Sequence, residues 1–162
     1  NHLFMVDIIE QLNRETSSKY ILLLVGNGNN ENVVRKYVED KGLSNKIIFL
    51  GTRNDISEIM NASDLFLLPS KNEGFPVTLV EAQATGIKVL VSDVVTKETK
   101  LSDNIRFLPI SSCSEWVEGI MSTNYSNRIS KLKEIEDAGF SINKQAKLFS
   151  EWLLKVTKNY RS

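Results

Sequence analysis

Short apolar runs recur along this chain, and each is followed by a loop and then by a stretch with helical apolar spacing, a pattern that few architectures accommodate. Tyr20–Val25, Lys46–Leu50, Leu65–Leu68, Lys88–Val91 and Ile105–Leu108 read as strands. The unbroken apolar character of Tyr20–Val25 predicts a strand covered on both faces. Before it, Leu3, Phe4, Val6, Ile8, Ile9 and Leu12 recur with helical spacing, and the polar stretch from Asn13 to Ser18 ends that helix. A second helix is expected from Glu31 to Lys41, closed by Gly42 as a left-handed cap. Asp55-Ile56-Ser57-Glu58 has the form of a capping box, with Asp55 at the N-cap of a short helix running to Ala62. Pro76 is expected at the first position of a further helix that stops at Thr85-Gly86. Strand and helix in alternation imply a parallel α/β sheet with helices on both faces. The loops 26–30, 51–54 and 70–75 should then open on one edge, outside the carboxyl ends of the strands, where such sheets bind ligands.

The remainder is less regular. The segment 92–104 is expected to be a loop holding a short helix. From residue 112 to 162 the chain reads as helical, with Ser112 as N-cap and Glu115 at the third position. Ile142, Ala146, Phe149, Leu153, Val156 and Tyr160 form one apolar stripe on the last helix, expected to pack on the core. With 162 residues the chain reads as a single domain, 1–162.

Charge and rare residues remove whole classes of function. Twenty basic residues balance twenty acidic ones, so there is no bulk electrostatic case for nucleic acid or an anionic membrane, and an anionic ligand must be held locally. Cys113 is the only cysteine, which excludes an internal disulfide and a cysteine metal cluster and suits a reducing cytoplasm. His2 is the only histidine, so the body of the fold has no histidine for a metal site or a nucleophile–base pair. No apolar run approaches the ~20 residues of a membrane span.

One segment carries candidate chemistry. The loop Ser70-Lys71-Asn72-Glu73-Gly74-Phe75 runs directly into the helix opened by Pro76. Gly74 allows a ligand near the backbone, and the amides of Gly74, Phe75, Val77 and Thr78, with the positive end of the helix, suit an anion such as a diphosphate. Pro76 itself donates nothing. Glu73 precedes the helix, and Glu81 lies roughly 7 to 8 Å further along its axis than Pro76. That spacing disfavours the close carboxylate pair of a retaining glycosidase and suits two hydroxyl-binding points on one extended ligand. Glu81 stands among apolar neighbours and is expected to have a partner. Gly26-x-Gly28-x-x-Glu31 lacks the third glycine of the dinucleotide fingerprint, which disfavours an NAD site.

Glu73-Gly-Phe-Pro-Val-Thr-Leu-Val-Glu81 resembles the E-x7-E motif of glycosyltransferase family 4, retaining enzymes of GT-B fold that use nucleotide-sugar donors. The likeness extends to Leu-Leu-Val-Gly26-Asn-Gly28, Ile-Phe-Leu-Gly51, Ala62-Ser-Asp64-Leu-Phe-Leu-Leu-Pro69-Ser70 and Glu81-Ala-Gln-Ala-Thr-Gly86, and so covers about residues 3–91. The resemblance implies a Rossmann-like parallel sheet, the C-terminal half of a GT-B fold. By the same resemblance Glu73 would accept from hydroxyls of the transferred sugar. Gly74, Phe75, Pro76, Val77 and Thr78 would form the cradle of the sugar and diphosphate, and Glu81 would take the ribose hydroxyls. Arg53 would border the base, with a helix-end contact as its alternative. Gly26 and Gly28 would act first as turn residues and then at the ligand's approach.

Family members carry an upstream strand with a Gly-Arg segment and then a Lys, and this chain starts after them. The family's first strand, central to its sheet, is therefore expected to be absent. Either the 20–25 strand pairs abnormally or an edge stays open. The implied partners are a nucleotide sugar and, through an N-terminal domain, a glycan or lipid-linked acceptor, without nucleic acid, with peripheral membrane association of the full enzyme and no cofactor or metal. Alone, the chain is expected to be inactive. The alternatives are a sugar-nucleotide epimerase or phosphorylase of the same architecture and a non-catalytic binding module.

Overall fold

The predicted strands are all present, and they fall into two parallel sheets rather than one. The computed structural model describes residues 1–17 and 20–159. Helix α1 (His2–Glu15) leads to β1 (Leu22–Val25), α2 (Glu31–Asp40), β2 (Ile47–Gly51) and α3 (Ile56–Ala62). Then come β3 (Leu65–Leu68), α4 (Val77–Thr85), β4 (Lys88–Ser92), a 3-10 turn over Lys97–Thr99, and β5 (Ile105–Leu108). Three helices close the described chain: α5 (Cys113–Met121), α6 (Leu132–Ile135) and α7 (Ile142–Asn159). None of the described helices is long and apolar enough to cross a membrane.

In the first sheet β1 pairs with β2, Leu22 opposite Ile47, with a register shift between Leu24 and Val25. In the second, β4 lies between β3 and β5, with Leu65 opposite Lys88 and Val89 opposite Ile105. Among the described residues β1, β2, β3 and β5 each keep one edge without a strand partner, and no strand joins β1 to β3. The parallel α/β class is as expected, the open-edge alternative holds, and the one sheet expected is found as two.

Side chains alternate along each strand, as a pleated backbone requires. Leu65, Leu67, Leu90 and Leu108 join one apolar layer with Leu22, Leu24 and Ile47 of the first sheet and with Val6, Ile8, Leu12, Val34, Trp116 and Val117 from α1, α2 and α5. Phe66, Leu68, Val89, Val91, Ile105 and Phe107 point the other way, onto Met60, Leu79 and Ala82 of α3 and α4. The first layer runs beneath both sheets, which is what holds them in one body. The second covers only β3–β5. Ile21, Leu23, Val25 and Ile48 are consequently exposed, and the expectation that 20–25 is covered on both faces fails for that face. Helix α1 ties the first layer together: the Phe4 ring meets Trp116 edge-on at 5.9 Å, Tyr37 Oη donates to Asp7 Oδ1 at 2.7 Å, and Lys41 Nζ donates to Glu10 Oε2 at 2.6 Å.

Local signals were followed closely at some ends and overruled at others. Gly42 takes φ +66° after α2, with Leu43 N donating to Val38 O at 2.9 Å, and Ser112 caps α5 by accepting from Glu115 N at 3.3 Å. Asp55 stands at the N-cap of α3, but its side chain makes no capping bond, and Pro76 is the N-cap of α4 rather than its first helical residue. The terminal stripe is also corrected. Ile142 is 82% exposed and Phe149 60%, because α7 touches mainly the turn that precedes it. Tyr160 of that stripe lies outside the described residues.

Candidate functional site

Helix α4 starts without a side-chain cap, and its N-terminus follows a loop at the carboxyl end of β3. Leu79 N donates to Pro76 O at 3.0 Å, whereas the amides of Gly74, Phe75, Val77 and Thr78 make no hydrogen bond to any described residue. Uncapped amides at the positive end of a helix are a receptor for an anion. A Cβ built on Gly74 would meet nothing within 4 Å, so the approach to those amides is open. Pro76 is buried and anchors the helix start. Val77, Thr78 and Glu81 are exposed on one side, while Leu79, Val80, Ala82 and Gln83 are buried on the other.

The two acids differ in how they are held. Glu73 is exposed and accepts from Ser70 Oγ at 2.7 Å, a bond across the loop that restrains its carboxylate. Glu81 is exposed and joins no ion pair among the described residues, so the expectation of a partner, argued from its apolar neighbours, is corrected. The physical reason is helical period: Leu79, Val80 and Ala82 turn inward, while Val77 and Glu81, one turn apart, stay on the water side.

Arg53 lies apart. Its Nε and Nη2 clamp the carboxylate of Asp55 at 2.8 and 2.6 Å, with the Asp55 carboxyl pulled below its ordinary value by that hydrogen bond first. The guanidinium takes one carboxylate oxygen with each nitrogen and so turns both away from the helix start, which is why the capping box at Asp55 does not form. The helix-end alternative for Arg53 is the one observed. These residues, with Thr52, Asn54 and Glu58, line an open hollow of about 370 Å³. Gly26 takes φ +112°, and its N–H donates to Gly51 O at 2.7 Å, so the loops after β1 and β2 are tied together. Gly28 O accepts from Glu31 N at 3.0 Å, which makes it a turn residue. Loop 70–75 and α4 thus bring Glu73, Gly74, Phe75, Pro76, Val77, Thr78 and Glu81 together, while no hydrogen bond joins them to Arg53, Gly26 or Gly28.

Two neighbours of the site were not found from the sequence. Asn1 Nδ2 donates to Pro69 O at 3.0 Å, which sets the start of α1 beside this loop. Phe140 stacks on Phe75 and has no local signal at all. No group of three or more His, Cys, Asp or Glu side chains suited to a metal occurs among the described residues. Cys113 is half-buried, and burial pushes its thiol up, away from reactivity.

Fold and site together define a class: an α/β domain of Rossmann-like, GT-B type, with an anion-receptive helix start at the carboxyl edge of its strands. The family described as Glycosyl transferases group 1 matches residues 1–116, and the chain belongs to that family. The Bacillus subtilis protein EpsF is 36% identical over 98 residues, which are 60% of this chain and 25% of that protein. An Escherichia coli protein named UDP-Gal:alpha-D-GlcNAc-diphosphoundecaprenol alpha-1,3-galactosyltransferase is 41% identical over 75 residues, 46% of this chain and 19% of that one. The crystal structure of Anabaena Alr3699/HepE in complex with UDP and glucose superposes with a TM-score of 0.74 at 22% identity, covering 94% of this chain and 44% of that one, a likeness of fold. The matches span about a quarter or less of these two sequence relatives and under half of the structural one.

Proposed function

We propose that this chain is the donor-binding part of a retaining glycosyltransferase. The enzyme would move a sugar from a nucleoside diphosphate to an acceptor hydroxyl during synthesis of a cell-surface polysaccharide or lipid-linked glycan. The observation that carries the reading is the set of uncapped amides at the start of α4, flanked by two exposed carboxylates that join no ion pair among the described residues. Support comes from the E. coli relative, named for a UDP-sugar and a diphosphoundecaprenol acceptor, and from the Anabaena neighbour, solved with UDP.

The roles follow from reach and charge. The amides of Val77 and Thr78, with the helix dipole, stabilise negative charge that grows on the departing diphosphate as the bond from the sugar's anomeric carbon to the phosphate oxygen breaks. Gly74 lets the diphosphate lie against the backbone. Glu73, restrained by Ser70, accepts from sugar hydroxyls and sets the donor's orientation, whereas Glu81 accepts from the ribose. The acceptor oxygen forms the new bond with configuration kept, and its proton is released. The reading takes the helix start, rather than a metal, to meet the diphosphate, and takes the reaction to run on the cytoplasmic side, at the inner face of the membrane, where a lipid-linked acceptor would be met.

Calorimetric titration with UDP and GDP tests the reading. Binding to one of them that Glu81→Ala weakens about tenfold or more and EDTA leaves unchanged is the expected result. No binding to either at millimolar concentration overturns it and favours a non-catalytic module.

A further inference from the structure

The segment between α5 and α7 returns to α4 and runs along it from one end to the other. At the C-terminal end, Arg128 Nε donates to Thr85 O at 3.0 Å, and its Nη1 donates to Met60 O and Ser63 O at the end of α3, both at 3.0 Å. Ser130 Oγ and Lys131 N both donate to Ala84 O at 3.1 Å. The fit is tight there: a Cβ on Gly86, which takes φ +78°, would lie 2.0 Å from Ile129 O. Helix α6 then packs along α4 with Ile135 buried. A turn through Gly139, at φ +99°, brings Phe140 to the other end of α4. There its ring stacks on Phe75, with centroids 5.5 Å apart and planes 9° from parallel.

This contact is not core packing, since Phe75 is 40% exposed and Phe140 44%. It also tethers the middle of a loop that is held at its two ends, by Asn1 Nδ2 on Pro69 O and by the buried Pro76. Among the described residues no hydrogen bond joins 70–75 to the rest of the chain; the Ser70–Glu73 bond stays within the loop. Two planar rings held parallel restrict both translation and tilt of the Phe75 backbone, and that backbone carries one of the free amides and leads directly to the N-cap of α4.

We propose that Phe140 is a positioning residue for the donor loop, acting through its stack on Phe75 to hold the amides of Gly74, Phe75 and Val77 in the arrangement that receives the diphosphate. The inference rests on the donor-binding reading for its ligand and on the stack alone for its geometry.

The test compares the chain as it stands with Phe140→Ala and Phe140→Tyr, using calorimetric titration with UDP and GDP and, without ligand, relaxation order parameters of the loop amides, which report motion whether or not an amide is hydrogen-bonded. Phe140→Ala should weaken binding of the nucleotide that the unsubstituted chain takes about two- to tenfold, the size of one aromatic pair, and lower the order parameters of Gly74, Phe75 and Val77. Phe140→Tyr should keep both, because it keeps the ring. If Phe140→Ala leaves loop order and nucleotide affinity unchanged, or if Phe140→Tyr is as impaired as Phe140→Ala, the proposal is overturned. If the unsubstituted chain binds neither UDP nor GDP, the donor reading falls while loop order still decides the clamp: lower order in Phe140→Ala, kept in Phe140→Tyr, upholds it, and unchanged order removes it.

Discussion

Glu73 and Glu81 are chemically the same group in similar exposure, and what separates them is attachment. Glu73 sits on a loop with a serine hydroxyl restraining it at 2.7 Å, while Glu81 projects from a helix with no hydrogen bond or ion pair to its carboxylate among the described residues. The difference predicts different losses. Glu81→Ala should lower UDP affinity about tenfold or more, the weight of hydrogen bonds to a charged acceptor. Glu73→Ala should leave UDP affinity unchanged and remove any preference for UDP-glucose over UDP; titration with both nucleotides checks the pair. Gly86 makes the structural counterpart. Its positive φ and the 2.0 Å approach of Ile129 O leave no room for a methyl group, so Gly86→Ala should cost about 2–4 kcal/mol in urea unfolding. Its role in ending α4 was legible in the sequence, since glycine after a helical run favours a left-handed cap. The commitment of Asp55 to Arg53 was not, because a capping pattern and an ion pair two residues apart share the same letters and only geometry ranks them.

Helix α4 is held along its buried side by polar bonds as well as by packing. Gln83 is fully buried; its Nε2 donates to Leu79 O and Thr99 O, and its Oε1 accepts from Leu101 N, Ser102 N and Ser102 Oγ. Replacing it by leucine keeps much of the volume and strands two amides. Gln83→Leu should cost about 2–4 kcal/mol and expose the Leu101 and Ser102 amides to faster hydrogen exchange. For most elements, type and order could be read from period and caps, because a strand or helix writes its pattern within its own residues. Helix α7 was read correctly as a helix and wrongly as core. Its stripe marks a face that avoids water, and a stripe carries no information about what lies opposite. The short α6 left no readable period, and its place against α4 is set by bonds to Ala84 and Thr85 from Arg128, Ser130 and Lys131.

Across the whole molecule, one apolar layer spans two sheets while the other stops at β3–β5. The bare face of β1–β2 and the stripe of α7 are exposed apolar surface, and β1 and β3 each present a strand edge without a partner among the described residues. Such surface favours association between chains. Leu23 and Ile48 lie opposite each other in register on that bare face. Leu23→Lys combined with Ile48→Glu should reduce concentration-dependent association in sedimentation velocity and leave the far-ultraviolet dichroism unchanged. Under the donor-part reading, the chain should bind nucleotide and show no sugar transfer, which a radiolabelled-donor assay would detect. From the letters alone came the parallel α/β class, the order of its elements, the helix start with its two acids, and the resemblance borne out by the group 1 family match. All of these depend on residues close together in the chain. The division into two sheets, the bare face, the solvent position of Glu81 and the Phe140 stack on Phe75 were decided by the tertiary structure. Each turns on which distant segment lies against a given edge or ring, and local periodicity holds no record of that.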